Sequence, residues 1–244
     1  MKLTYNFQKF SAKDYLKEYY PKFEKLDRDY LDFMHGFYKR LNLKSARMLE
    51  IGGGPTIDQL ISASGKVKKI IFSEYLPDNL REVRGFVKNT PNGFNWDKHF
   101  AYVAKLENKG QDTEELKQRV RNKIKKIISC DLNKKIPVKV SGRFDVVSVN
   151  FCPESITDQE AKYLDYLRKI FDYIKSGGWL VMCLLRQSTA YDVKGFYFPA
   201  FPVSRPYITN VLRTNGFINL KIKEVVFRGK HNKGMFRLFA QKKK

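Results

Sequence analysis

The sequence predicts an α/β fold: a seven-stranded, mostly parallel sheet with helices on both faces and an N-terminal helical lid. Three observations predict it. From Met48 onward, short apolar runs alternate with segments of helical pattern. The run FDVVSVNF (144 to 151) is almost continuously apolar, as a strand buried on both faces should be. The final two apolar runs, near 218 to 228 and 235 to 242, flank a Gly- and Lys-containing loop and suit an antiparallel hairpin, which leaves one strand reversed. At 244 residues, with no linker-like composition, the chain makes a single domain in which 1 to 42 is the lid and 43 to 244 the core.

The first helix is FSAKDYLKEYY (10 to 20), with Ser11 as N-cap and Asp14 as an acidic capping-box variant. Tyr15 and Tyr19 share a face, with Tyr20 adjacent. Aromatic groups at this spacing ordinarily bury against a domain. The functional reading is a lid whose tyrosines cover a ligand and exclude water. A second helix, about Tyr30 to Leu41, leads into the first strand.

That strand, MLEI (48 to 51), ends in Gly52, Gly53 and Gly54, and a helix is expected from Pro55 onward. Glycines allow close backbone approach to a ligand, and amides at a helix entrance favour an electron-rich group. A dinucleotide fingerprint would place a third glycine where Ile57 stands, which argues against NAD. KKIIFSEY (68 to 75) is a second strand that brings Glu74 twenty residues past Gly54, placed to accept hydrogen bonds from ribose hydroxyls. No GxxxxGK[ST] occurs, so a triphosphate cradle is not indicated. A glycine turn and a ribose acid without phosphate machinery point to S-adenosylmethionine. Standing alone, the segment is better read as an ordinary structural glycine turn beside an exposed Glu.

Asp78 to Val87 is helical, opened by Pro77 and Asp78, with Asn79 near the end of strand two. Residues 90 to 112 are turn-rich, and Thr113 to Ile128 is a charged helix capped by Thr113 and Glu115. KIISCDL (126 to 132) is strand three, whose Asp131 is placed to hold an adenine amino group. After strand four, Thr157 caps a helix to Ile174, with Glu160 at capping-box spacing. Gly177 and Gly178 stop that helix, and WLVMCLL (179 to 185) is strand five. A loop rich in Tyr, Phe and Pro (187 to 206) and a helix from Pro206 to Thr214 precede the terminal hairpin.

Composition bounds the function. Lys+Arg 47 against Asp+Glu 25 gives a formal net charge of +22, which attracts nucleic acid nonspecifically. The lysines are scattered through nearly every segment, so a solvated surface is favoured over RNA binding. Cys130, Cys152 and Cys183 are odd in number and lack CxxC spacing, and His35, His99 and His231 lie far apart, so no disulfide or metal site is expected. No apolar run approaches a membrane span and MKLTYNFQKF lacks a signal-peptide core, so a cytoplasmic protein without membrane attachment is expected, as a monomer.

With these pieces in order, the chain resembles the small-molecule methyltransferase family of nicotinamide, phenylethanolamine and indolethylamine N-methyltransferases and thioether S-methyltransferases. The resemblance rests on DYLKEYY (14 to 20), EIGGGPTIDQL (50 to 60), SEYLPDNL (73 to 80), FNW (94 to 96), SCDL (129 to 132) and SGGWLVM (176 to 182), and it spans nearly the whole chain. It implies a Rossmann-like class I methyltransferase fold, with S-adenosylmethionine held by Tyr15, Tyr20, Gly52, Gly53, Gly54, Thr56, Glu74, Tyr75, Asn79, Asp131 and Leu132, and edged by Asn150. Glu74 replaces the family's common Asp, and Asp58 stands where the mammalian members carry a tyrosine. Cys183 stands where amine and nicotinamide enzymes place an acid after the strand-five run. The next loop supplies Gln187, Tyr191, Tyr197, Phe198 and Pro199. A pocket without that acid favours a flat, neutral or weakly polar acceptor over a cationic amine, although core packing explains some of these aromatic groups equally well.

Methyl transfer needs alignment and exclusion of water more than a base; if a proton must leave, Tyr15, Tyr19 or a bound water is the candidate acceptor. N-methylation is expected ahead of S-methylation. Two alternatives are an RNA or nucleobase methyltransferase, poorly matched because Asn150 is followed by Phe151, Cys152 and Pro153 where NPPY is usual, and a noncatalytic cofactor-binding module.

Overall fold

The computed structural model describes residues 2–43, 45–91, 93–107 and 112–244. Its centre is a seven-stranded sheet in the order β3-β2-β1-β4-β5-β9-β8. The strands are β1 (Arg47–Ile51), β2 (Lys69–Glu74), β3 (Ile124–Ser129), β4 (Phe144–Asn150), β5 (Ile174–Leu185), β8 (Phe217–Val226) and β9 (Gly234–Lys242). Pairing is parallel from β3 through β5, and β9 lies antiparallel to both β5 and β8, so β9 is the reversed strand. The chain steps outward from β1 to β3 and then returns to β4 on the other side of β1. The crevice outside the carboxyl ends of β1 and β4 is therefore the topological switch point, where α/β sheets bind ligands.

Helices cover both faces. On one face α1 (Ala12–Tyr19), α2 (Lys25–Arg40), α3 (Asp58–Ile61), α4 (Pro77–Lys88), α5 (Asp97–Leu106) and α6 (Thr113–Lys123) bury a core that includes Met34, Phe37, Met48, Phe72, Phe100 and Val181. On the other, α7 (Glu160–Asp172) and α8 (Arg205–Thr214) bury Leu49, Val147, Leu180, Leu167 and Leu212. The alternation along β1 and β5, successive residues going to opposite clusters, is what a strand buried on both faces requires. Among the described residues no helix is long and apolar enough to cross a membrane.

Ser11 caps α1 as expected, its side chain accepting from the Asp14 amide, while Asp14 itself turns to Lys194 at 3.3 Å. Helix α2 begins earlier than its apolar face suggests. Glu24 and Asp27 form a capping box, with the Glu24 amide donating to Asp27 at 2.6 Å.

Several expectations are corrected. No helix starts at Pro55: the glycine loop continues through Ile57, and α3 has only four residues. Within the stretch expected to be turn-rich, α5 forms over Asp97–Leu106, and residues 108–111 lie outside the described residues. The charged helix α6 is capped by Asp112 and yields to β3 at Ile124, where the β-branched Ile124, Ile127 and Ile128 favour the strand. Thr157 holds the Gln159 amide at 3.0 Å, but Gln159 is the N-cap of α7. Gly177 and Gly178 do not stop α7, which ends at Asp172; β5 already runs from Ile174, and Gly177 (φ +74°) makes a bulge where β4 pairs Phe144 with Ile174 but Val146 with Trp179. The expected loop 187–206 contains a hairpin, β6 (Ala190–Val193) and β7 (Phe196–Pro199), turning on Lys194 and Gly195, both at positive φ.

Candidate active site

The glycine loop carries β1 into the crevice, and its three glycines serve different ends. A Cβ at Gly52 would lie 2.1 Å from the Cys152 sulfur, and one at Gly53 2.4 Å from the Phe72 ring, so packing demands glycine at both. Gly54, at φ +62°, has nothing within 4 Å of its Cβ position: its face is open. Thr56 does not face that opening. Its hydroxyl donates to the Gly53 carbonyl at 2.9 Å, and Gln59 donates to the same carbonyl at 3.3 Å, so the pair fixes the loop from behind.

Glu74 ends β2 beside the loop and accepts from the Gly54 amide (3.0 Å), the Leu76 amide (2.9 Å) and Asn79 Nδ2 (3.1 Å). Burial raises its pKa while these donors pull the other way. Asn79 Oδ1 is buried without a partner. Asn150, at the end of β4, donates to Glu50 Oε1 at 3.2 Å and leaves its own Oδ1 unpartnered. Glu50 was not among the expected site residues. It is fully buried in β1 under the loop, its Oε2 unpartnered, and burial pushes its pKa up to about 8. The signal was in the sequence: an acid inside the apolar run MLEI. An open glycine face, a carboxylate held by three donors and unpartnered carbonyl oxygens around one crevice fit a nucleoside-bearing cofactor.

Other expected residues are placed differently. Tyr75 is 49% exposed. Asp131 turns into its own loop, accepting from the Asn133 amide at 3.0 Å, and Leu132 is buried, its carbonyl accepting from Lys169 at 2.8 Å.

The first helix roofs the crevice. Tyr15 stacks on Tyr19 with centroids 4.7 Å apart, and Tyr20 meets Trp96 edge-on at 5.4 Å. Asp58, within electrostatic reach of Tyr20, is buried, and burial pushes its pKa up to about 7. Burial raises Tyr15 too, with Tyr19, Asp58 and Glu74 adding to it, and pushes Tyr19 up to about 12. Neither phenol is a base near neutrality. Tyr19 is further committed by donating to the Asp192 carbonyl at 3.0 Å. His99 is a core histidine packed against Phe23 (4.9 Å) and Trp96 (5.0 Å); both ring nitrogens are unpartnered, and burial holds its pKa down at about 4.

The hairpin is tied to this roof. Lys194 pairs with Asp14, its amide donates to Glu18 at 2.9 Å, and Phe198 stacks on Phe7 and Tyr191, each at 5.3 Å. The β6–β7 register puts Tyr191 opposite Phe198 and Asp192 opposite Tyr197, so Tyr197 lies on the other face of the hairpin, edge-on to His231 at 5.5 Å. Tyr191 and Phe198 are thus brought together with the tyrosine lid and Tyr197 is not. Gln187, at φ +48°, donates its amide to Val203 at 2.9 Å. Cys183 is fully buried in β5. Beyond β4, Glu154 is also fully buried, accepting from the Leu185 amide at 2.9 Å with its second oxygen unpartnered. Two clefts, about 240 Å³ between α7 and α8 and about 340 Å³ beside β8, lie away from this crevice.

Known proteins resemble this chain in sequence and in fold. The chain matches the sequence profile of the NNMT/PNMT/TEMT family over residues 2–243. Nicotinamide N-methyltransferase of Homo sapiens is 27% identical over 96% of this chain and 93% of its own length. Indolethylamine N-methyltransferase of Oryctolagus cuniculus is 25% identical over 85% of this chain and 82% of that protein. In fold, the chain is similar to an S-adenosylmethionine-dependent methyltransferase from Clostridium acetobutylicum (TM-score 0.56, 12% identity, 96% and 98% covered). It is also similar to the 1,6-didemethyltoxoflavin-N1-methyltransferase of Burkholderia thailandensis (TM-score 0.55, 15% identity, 96% and 87% covered). A sheet ending in this crevice and a family match from end to end agree: the chain belongs to the NNMT/PNMT/TEMT family and is an S-adenosylmethionine-dependent methyltransferase.

Proposed function

We propose that the chain methylates a nitrogen of a small, flat heteroaromatic acceptor, and that it does so by positioning and desolvation without a protein base. The observation that carries this is the convergence of the open Gly54 face, Glu74 with Asn79, and the Tyr15–Tyr20 roof on one crevice. In this reading Glu74 and Asn79 bind the ribose hydroxyls, since Glu74 Oε2, which accepts from the Gly54 amide, keeps a free lone pair and Asn79 Oδ1 awaits a donor. Asn150 and Glu50 form the polar floor, and Tyr15, Tyr20 and Tyr191 exclude water and press the acceptor into line. When bound, S-adenosylmethionine supplies an electrophilic methyl: the acceptor lone pair forms the new bond as the carbon–sulfur electrons return to sulfur, and a tertiary ring nitrogen has no proton to lose. The raised phenols of Tyr15 and Tyr19 support a reaction without a base. The named relatives act on nicotinamide, phenylethanolamine and indolethylamine. We extend the reading to a cytoplasmic monomer, which cell fractionation and sedimentation velocity test.

Calorimetry with S-adenosylhomocysteine tests the cofactor assignment. Wild-type protein is expected to bind, and Glu74→Ala to lose most of the affinity, at least about tenfold for a charge-assisted contact. Unchanged binding by Glu74→Ala would remove the ribose assignment. Incubation with methyl-labelled cofactor and a panel of azines, indoles, thioethers and tRNA tests the acceptor class; label confined to tRNA would overturn it.

A further inference from the structure

The β5–β9 register sets Cys183 directly opposite Arg237. Arg237 is fully buried, yet among the described residues it forms no ion pair. One nitrogen, Nη2, donates to the Leu26 carbonyl at 3.1 Å and lies 3.6 Å from the Met235 sulfur. Nε and Nη1 are buried with no acceptor. The guanidinium stands 5.8 Å from the Tyr30 ring centroid. A guanidinium cannot shed its proton, and a buried charge without a partner is among the most unfavourable arrangements a core can hold.

The neighbouring acids do not neutralise it. Asp29 is held low first by Lys25, with which it is paired at 3.0 Å, and only more weakly by Arg237 and Lys223. Asp58 and Glu50, within electrostatic reach of Cys183, are themselves disfavoured as anions, since burial pushes them up to about 7 and about 8. Cys183 is a neutral thiol, raised by burial against the opposing pull of Arg237. Cys183, opposite Arg237, shares one buried cluster with Tyr30, against which Tyr20 of the roof is packed. Strand alternation turns Arg237 to the face of Phe239, Cys183 and Val181, beneath α2, while Phe236 and Leu238 turn to the opposite core. Tyr30 is within electrostatic reach of Asp58, Cys183, Glu50 and Tyr20, which links the guanidinium to the tyrosine roof.

We propose that the methyl acceptor carries a carboxylate on its heteroaromatic ring, and that Arg237 binds this group through Nε and Nη1 while Tyr20 and Tyr30 flank the ring. The inference rests on the methyltransferase reading above and narrows its acceptor to an anion. Arg237 is a specificity residue in this account, and methyl transfer to the ring nitrogen yields a zwitterion with no proton released.

Matched pairs that differ only in charge test it: pyridine-3-carboxylate against pyridine-3-carboxamide, and quinoline-4-carboxylate against its amide. Each is assayed by label transfer and by calorimetric binding to protein loaded with S-adenosylhomocysteine. The acids are expected to exceed their amides by at least about tenfold in kcat/KM or in affinity. Arg237→Met, close in volume, is expected to abolish that preference through KM, while S-adenosylhomocysteine affinity stays within about twofold. Arg237→Lys retains the charge and is expected to restore part of the preference, which separates recognition from packing. Amides bound as well as acids, no binding of any acid, or an equal loss for acid and amide in Arg237→Met would overturn the inference. Failure of S-adenosylhomocysteine to bind would instead overturn the reading on which it rests.

Discussion

Glu154 offers a quantitative test of how burial acts in this fold. Its carboxyl is fully enclosed, one oxygen accepts from the Leu185 amide at 2.9 Å, and the other faces no donor. Burial pushes its pKa from 4.5 up to about 8, against smaller opposing pulls from the Leu185 amide, its own amide and Ser155. The folded state therefore binds this proton more tightly than the unfolded chain. Its contribution to stability is full below pH 4.5 and is lost as pH rises from there toward 8. At pH 7 the unfolded chain has gained about 2.5 pH units of deprotonation free energy that the protonated native group has not, a deficit of about 3 kcal/mol. Glu154→Gln keeps the acceptor for Leu185 and cannot ionise. Urea unfolding at pH 4 and pH 7 is expected to show the variant gaining about 2 to 3 kcal/mol on wild type between the two pH values. Parallel stability curves would show that Glu154 is ionised in the fold and the burial argument wrong.

Four further substitutions address the loop and the lid. Gly52→Ala drives a Cβ to 2.1 Å from the Cys152 sulfur at a positive φ and is expected to cost more than about 3 kcal/mol of stability, whereas Gly54→Ala meets open space and should cost only about 1 kcal/mol yet weaken S-adenosylhomocysteine binding at least about tenfold; thermal melts and calorimetry distinguish the two. Because both phenols titrate far above neutrality, Tyr15→Phe and Tyr19→Phe are each expected to leave kcat within about fivefold and its pH profile flat from 7 to 9. A lost alkaline limb in either variant would identify a base.

What was legible in the sequence followed from local chemistry. The glycine triplet, Glu74 with Asn79, and the aromatic first helix each announce themselves through residue type and spacing, and a mostly parallel sheet with one reversed strand follows from the alternation of elements. The hairpin over 190–199 did not, because its turn uses Lys194 at φ +52° where Asn or Asp is usual. Pro55 suggested a helix start, but Thr56 and Gln59 hold the loop through the Gly53 carbonyl for three more residues. Arg237 was hidden for a different reason. MFRLFA has the cadence of any amphipathic strand, and only the register against Cys183 shows that its charge points inward. Tyr197 and Phe198 are neighbours in sequence and were grouped, yet the pleat sends them to opposite faces.

The clasp between the first helix and the hairpin joins solvated polar contacts to a buried aromatic seam. It consists of one ion pair whose lysine is 66% exposed, one amide on Glu18 and one phenol on a carbonyl, over a seam of stacked rings. Solvated contacts of this kind contribute at most about 1 kcal/mol apiece. The seam beneath is different: Phe198 is fully buried and stacked on Phe7 and Tyr191, so apolar burial rather than the polar clasp fixes the hairpin to the amino-terminal segment.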